Sequence, residues 1–150
     1  MIEGDEIKVL EFNCRFGDPE TQPIMLRLES SLTNLCLDAI NKKLDAHQIE
    51  WSSMHSCGVV LASSGYPEDY ETGMEIDIKN HFSENEKLFH AGTKFVDNNI
   101  LTSGGRVFCM TALGETLEIA IDNAYNAIPK INFDGMFFRS DIGKKGLNND

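Results

Sequence analysis

The sequence predicts an α+β fold built from short antiparallel strands, and three observations carry that reading. Apolar residues recur at helical spacing in only three places: after Pro23, across Leu32, Leu35, Ala39 and Ile40, and from Leu117 to Ile128. Between Gly58 and Leu113 the pattern changes to short apolar or alternating runs punctuated by Gly, Asn and Pro. Helix and strand never alternate regularly, which a parallel sheet would require. At 150 residues, 41% of them hydrophobic, the chain suffices for one domain with a core, or for a compact piece of something longer.

Taken in order, Lys8 to Asn13 is predicted as a strand and Asn13 to Gln22 as a loop. Pro23 disfavours helical geometry at Gln22 and suits a first helical turn, so a short helix runs from Pro23 to about Leu28. Ser30 and Ser31 offer an N-cap for a second helix, which fades near Lys42 and Lys43, where positive charge suits a C-terminus. Gly58 to Ala62 is a continuous apolar run, as in a strand buried on both faces. Glu75 to Lys79 alternates, as in a half-exposed strand. Leu88 to Val96 is a strand interrupted at Gly92, which marks a bulge or a close backbone approach. Asp97-Asn98-Asn99 and Ser103-Gly104-Gly105 are turns around a short strand at Ile100 to Thr102, and Arg106 to Leu113 is the next strand. A helix is expected from Gly114 to about Ile128, with Leu117, Ile121, Ala124, Tyr125 and Ile128 on its apolar stripe. Phe133 to Phe138 reads as a last strand, and Asn148 to Asp150 as a frayed end.

Charge narrows the partners. The formal net charge of −11 opposes a nucleic-acid or anionic-membrane surface, since both need clustered Lys and Arg. No apolar run is long enough to span a bilayer, and no basic-then-apolar leader opens the sequence. Cys14, Cys36, Cys57 and Cys109 show neither paired nor metal-ligand spacing, which suits a reducing, cytoplasmic setting. His47, His55 and His81 stand in polar contexts without such spacing.

The richest segment is Glu11-Phe12-Asn13-Cys14-Arg15-Phe16-Gly17-Asp18-Pro19-Glu20-Thr21-Gln22. On a strand Glu11 and Asn13 point the same way, and a carboxylate beside an amide carbonyl suits a hard cation such as Mg²⁺. Arg15 adds a planar donor for phosphate or carboxylate. The same residues equally suit a solvated strand edge, with Arg15 bonded to Asp18 or Glu20 and Asp18-Pro19 an ordinary turn. His90-Ala91-Gly92-Thr93 is a weaker candidate. Ser103-Gly104-Gly105-Arg106 has the form of an anion nest followed by a cation, or simply of a hairpin turn. No GxxxxGK, GxGxxG after a strand, GxSxG or HExxH occurs.

Arg15 to Gln22 resembles the signature octapeptide of the glycinamide ribonucleotide synthetases, the phosphoribosylamine–glycine ligases. The resemblance continues through Gly58-Val59-Val60 with Gly65-Tyr66-Pro67, His90-Ala91-Gly92-Thr93, Gly104-Gly105-Arg106-Val107 with Ala112-Leu113-Gly114, and Arg139-Ser140-Asp141-Ile142-Gly143. It implies an ATP-grasp ligase that activates glycine with ATP to glycyl phosphate and transfers it to 5-phosphoribosylamine in purine synthesis. By position, Glu11 and Asn13 match the family's metal ligands for Mg²⁺ (or Mn²⁺) on the ATP phosphates. Arg15 matches a catalytic, substrate-orienting arginine. Gly17 and Asp18 match substrate-binding loop residues, Gly17 allowing close backbone approach. Residues 1–44 then correspond to the end of an ATP-grasp domain, and 45–150 to a β-rich C-terminal domain with one packed helix. Full members carry, upstream, an N-terminal α/β domain and most of the ATP-grasp fold, with the adenine site and a further metal carboxylate. The isolated 150 residues are therefore expected to be inactive. Related ATP-grasp carboxylases share Glu-x-Asn-x-Arg but not the Phe-Gly-Asp-Pro-Glu continuation. A non-catalytic scaffold keeping the motif is the remaining alternative.

Overall fold

A computed structural model describes residues 2–3, 6–46, 48–79 and 81–148. The elements are β1 (Ile2–Glu3), β2 (Glu6–Ile7), α1 (Thr21–Arg27), α2 (Leu32–Ile40), β3 (His55–Ser63), β4 (Asp77–Ile78), β5 (Glu86–His90), β6 (Thr93–Val96), β7 (Asn99–Thr102), β8 (Arg106–Gly114), α3 (Leu117–Ala127), β9 (Ile131–Asn132) and β10 (Met136–Phe137). The main sheet has the order β10-β3-β8-β5, antiparallel throughout. Small pairs β1–β2, β4–β9 and β6–β7 flank it, each also antiparallel. The α+β expectation holds.

The core explains the order. Cys57, Val59 and Leu61 alternate onto one face of β3 and pack with Phe108, Met110 and Ala112 of β8 against Ala120, Ile121 and Ala124 of α3. Thr116 caps α3 by accepting from the Ile119 N–H at 3.2 Å. The helix therefore starts at Leu117, and Gly114 ends β8 instead of opening the helix, because a side chain there would strike the Ile119–Ala120 backbone. The alternate residues of β3 face the opposite way, toward α1: Ser56 Oγ donates to Pro23 O at 3.0 Å, and a Cβ on Gly58 would lie 3.2 Å from the Pro23 ring. Two helices thus sandwich the central strands.

Ser31 caps α2 by accepting from Asn34 N–H at 3.4 Å, and the helix stops at Ile40, where Asn41 and then a left-handed Lys42 end it. Of its expected stripe only Leu35 is buried; Leu32, Ala39 and Ile40 are exposed, as is Leu37. The Asp97-Asn98 turn joins β6 to β7 with both residues at positive φ, the geometry a two-residue hairpin demands. Gly92 makes the expected close approach: a Cβ there would lie 2.7 Å from Arg106 O and 2.7 Å from Gly104 Cα. Of the expected strand Phe133 to Phe138 only β10 (Met136–Phe137) forms, after a turn with Gly135 at φ +71°, while β9 precedes that range. Of the expected frayed end, residues 149 and 150 lie outside the described residues.

One expected element is missing altogether. Lys8 to Asn13 forms no strand. A strand needs a ladder partner, and β2 stops at Ile7 after pairing with β1. Val9, Leu10 and Phe12 are left exposed. None of the described helices is long and apolar enough to cross a membrane.

Candidate active-site wall

Without the strand, Glu11 and Asn13 still meet: Asn13 Nδ2 donates to Glu11 Oε1 at 3.1 Å, and both are exposed. Turning the Asn13 amide over would set its carbonyl oxygen beside the carboxylate. This donor pair fits Mg²⁺, which takes one or two protein oxygens and fills its octahedron with water and phosphate. No cluster of three or more His, Cys, Asp or Glu suited to a metal occurs among the described residues, so protein alone would not enclose an ion.

Arg15 turns to its own loop, donating to Phe16 O at 3.3 Å, and pairs with neither Asp18 nor Glu20. Thr21 closes the loop onto α1, its N–H donating to Gly17 O at 3.1 Å and its hydroxyl to the same carbonyl. The Glu20 carboxylate lies where a Gly17 Cβ would go. Asp18 crosses to the sheet. Arg106 Nη2 meets Asp18 Oδ2 at 3.1 Å and Arg106 Nη1 donates to Asp18 O at 3.3 Å.

That crossing opens onto a cleft of about 430 Å³, walled by Pro19, Gly58, Val60, Ala62, Tyr66, Pro67, Phe137, Phe138 and Ile142, with Arg106 and Arg139 as its charged members. Strand register brings Arg106 here. A bulge between Leu61 and Ala62 pairs Ala62 with Arg106, so both share the cleft face while Phe108 stays in the core. Gly105 leaves room for Tyr66, whose ring would collide with any Cβ there, and the Arg106 guanidinium stands 6.0 Å from that ring. Across the cleft Arg139 makes two bonds to Asp141, at 2.9 and 2.7 Å, and these hold the Asp141 carboxyl below its ordinary range. Tyr125 of α3 straps this segment down: its hydroxyl donates to Arg139 O at 2.6 Å and accepts from Ile142 N–H at 3.1 Å.

His90 does not enter the cleft. Its Nδ1 is 3.0 Å from Thr93 Oγ1 and its ring stands edge-on to Phe108 at 4.9 Å, a turn-closing arrangement. His55 and His81 are exposed, and His47 lies outside the described residues. A second cleft of about 440 Å³ is lined by Asp69, Glu71 and Asp134 with no cation, an unsuitable seat for a phosphate. Sequence reasoning singled out Gly104-Gly105-Arg106 and Arg139 to Gly143 without placing them together. It gave Tyr66 and Tyr125 no part in the site.

Several of the segments on which the family resemblance rests meet at this cleft, through Pro19, Gly58, Val60, Tyr66, Pro67, Arg106, Arg139 and Ile142. Independently, the family model "Phosphoribosylglycinamide synthetase, C domain" matches residues 56–145. The chain belongs to this family. The phosphoribosylamine–glycine ligase of Vibrio parahaemolyticus is 51% identical over 98% of this chain, which spans 35% of that relative. That of Salmonella typhimurium is 53% identical over 93% of the chain and 33% of the relative. A crystal structure of the Thermotoga maritima phosphoribosylamine–glycine ligase superposes with a TM-score of 0.74 at 32% identity, covering 94% of this chain and 34% of that one. The chain therefore spans about a third of the synthetases it matches.

Proposed function

We propose that this chain is the C-terminal part of an ATP-dependent ligase that joins glycine to 5-phosphoribosylamine through glycyl phosphate, in the cytoplasm. The observation that carries the reading is the tie between Asp18, in the signature loop, and Arg106, on the cleft of the synthetase C domain. Residues 1–44 are the end of the ATP-grasp domain and 45–150 the C-terminal domain. A glycine carboxylate oxygen attacks the γ-phosphorus of ATP and ADP departs; the phosphoribosylamine nitrogen then attacks the glycyl carbonyl, phosphate leaves and the nitrogen loses a proton. Glu11 and Asn13 would hold Mg²⁺ or Mn²⁺, which when bound neutralises charge on the phosphates. Arg15 orients the transferring phosphate or the carboxylate, Gly17 lets the loop approach it, and Asp18 with the cleft receives the phosphorylated amine.

The adenine site and the second metal carboxylate belong to the upstream domains, which are the chain's partner. Exposed Val9, Leu10 and Phe12 with the bare face of α2 support such a partner, because apolar groups of this number are normally covered. The test is to join this chain to the upstream domains of a relative and assay ADP formation. Dependence on both glycine and phosphoribosylamine is expected. Bicarbonate-dependent turnover would move the chain to the carboxylases, and no turnover in a folded fusion would leave only a scaffold.

A further inference from the structure

Between Glu11 and Pro19, the only hydrogen bonds and ion pairs that leave the segment within the described residues are those from Thr21, two residues further on, and from Arg106. Thr21 merely closes the loop onto α1. Arg106 lies 88 positions away and reaches both the carboxylate and the backbone carbonyl of Asp18. Its aim is built in three ways: the bulge opposite it turns the side chain from the core face to the cleft, Gly105 admits the Tyr66 ring beneath it, and its own carbonyl accepts from Gly92 N–H at 2.8 Å.

We propose that Arg106 is a positioning residue: it fixes the segment bearing Glu11, Asn13 and Arg15 relative to the cleft, acting through Asp18. This rests on the reading of that segment as the phosphoryl-transfer wall. The tether itself is a statement about this chain and stands or falls separately. The side chains of Arg106 and Asp18 are 39% and 52% exposed, so the pair is weak, and its loss loosens the loop without unfolding the sheet.

Hydrogen exchange on the 150-residue chain reads the tether. Arg106→Gln should speed exchange of amides 13–20 about two- to five-fold, the equivalent of an exposed ion pair, with exchange of β3 and β8 unchanged. Asp18→Asn, which keeps the carbonyl contact, should give a smaller increase. The double variant should exceed neither single sum nor Arg106→Gln alone, since both changes break one interaction. Arg106→Lys, which keeps the charge but not the fork, should lie between. Unchanged loop exchange in Arg106→Gln, or additive effects in the double variant, would overturn the proposal, as would exchange that rises everywhere. In the fused ligase, Arg106→Gln should lower kcat about ten-fold or more with little change in the KM for ATP, partly restored by lysine. A rise in the KM for phosphoribosylamine with kcat intact would make Arg106 a binding residue instead, and would overturn positioning. If the parent fusion ligates nothing, the proposed function fails and the exchange data alone decide the tether.

Discussion

At the scale of single residues, the sharpest contrast is between groups that chemistry needs and groups that folding needs. Glu11 is exposed and, among the described residues, bonds only to Asn13, so Glu11→Ala should leave the melting temperature of the fused ligase within about 1–2 °C while lowering kcat/KM by orders of magnitude. Activity that survives the change would remove Glu11 from the metal site. Cys57 behaves oppositely. Burial, helped by neighbouring Cys109, pushes its thiol up to about 11 from an ordinary 9.0. A folded-state value above the unfolded one means the contribution is fully present below about pH 9 and is lost as pH rises toward 11. At its limit the loss is about 1–3 kcal/mol. Urea midpoints should therefore fall between pH 8 and pH 10.5, and fall less in Cys57→Ala. In the native protein at pH 8 a thiol reagent should modify exposed Cys14 and Cys36 quickly and buried Cys57 and Cys109 only on unfolding. The residues of the cleft were only partly legible: Gly105 and Arg106 advertise a turn with a cation, but nothing local says that a bulge 44 positions earlier, at Ala62, aims that cation.

At the scale of elements, local signals settled what local forces decide. The Ser31 cap and the Asp97-Asn98 turn lie where pattern and turn chemistry put them, and the apolar run Gly58 to Ala62 lies inside the longer β3, whereas α3 starts three residues after the expected Gly114. Lys8 to Asn13 failed for the complementary reason: its alternation suits a strand, yet strand formation depends on a partner that the described residues do not provide. The pairing of β5 with the short turn that follows α3 also escaped the sequence. Lys130 Nζ meets Glu86 Oε2 at 2.6 Å, with both side chains largely covered. Burial alone would raise the Glu86 carboxyl, but the bonds from Lys130 and Ser83 outweigh it and the net shift is downward. Its stabilising effect is thus present above the ordinary carboxylate range and is lost as pH falls below it. Glu86→Gln should cost about 1–2 kcal/mol at pH 7 and almost nothing near pH 3, read from denaturant midpoints. Tyr125→Phe tests the strap over the cleft. It removes both bonds to the 139–142 segment, and should speed amide exchange there at least several-fold while α3 stays protected.

At the scale of the whole molecule, the chain is lopsided. From β3 onward a shared core fills the space between sheet and α3, whereas Ile7 to Phe16 and α2 present Leu, Ile and Phe to solvent. The isolated chain should accordingly bind an apolar dye, and Leu37→Lys with Ile40→Lys should reduce that binding while shifting stability by no more than about 1 kcal/mol. A large destabilisation would mean that α2 is packed in solution. Calorimetric titration with Mg²⁺ and ATP should detect no micromolar site on these 150 residues; such a site would contradict the reading of this chain as one wall of a divided active centre.

The backbone crossing of Gly92 and Gly104 bears on inheritance as much as on mechanics. Because the two main chains touch there and Arg106 O accepts the Gly92 N–H, any side chain at Gly92 must displace the start of β8. Alleles altered at 92 and at 106 should then share one phenotype with alleles at 18, although codon 18 is far from the other two. A screen for second-site suppressors of Gly92→Ala should return changes around Ser103 and Gly104 rather than in the signature segment itself.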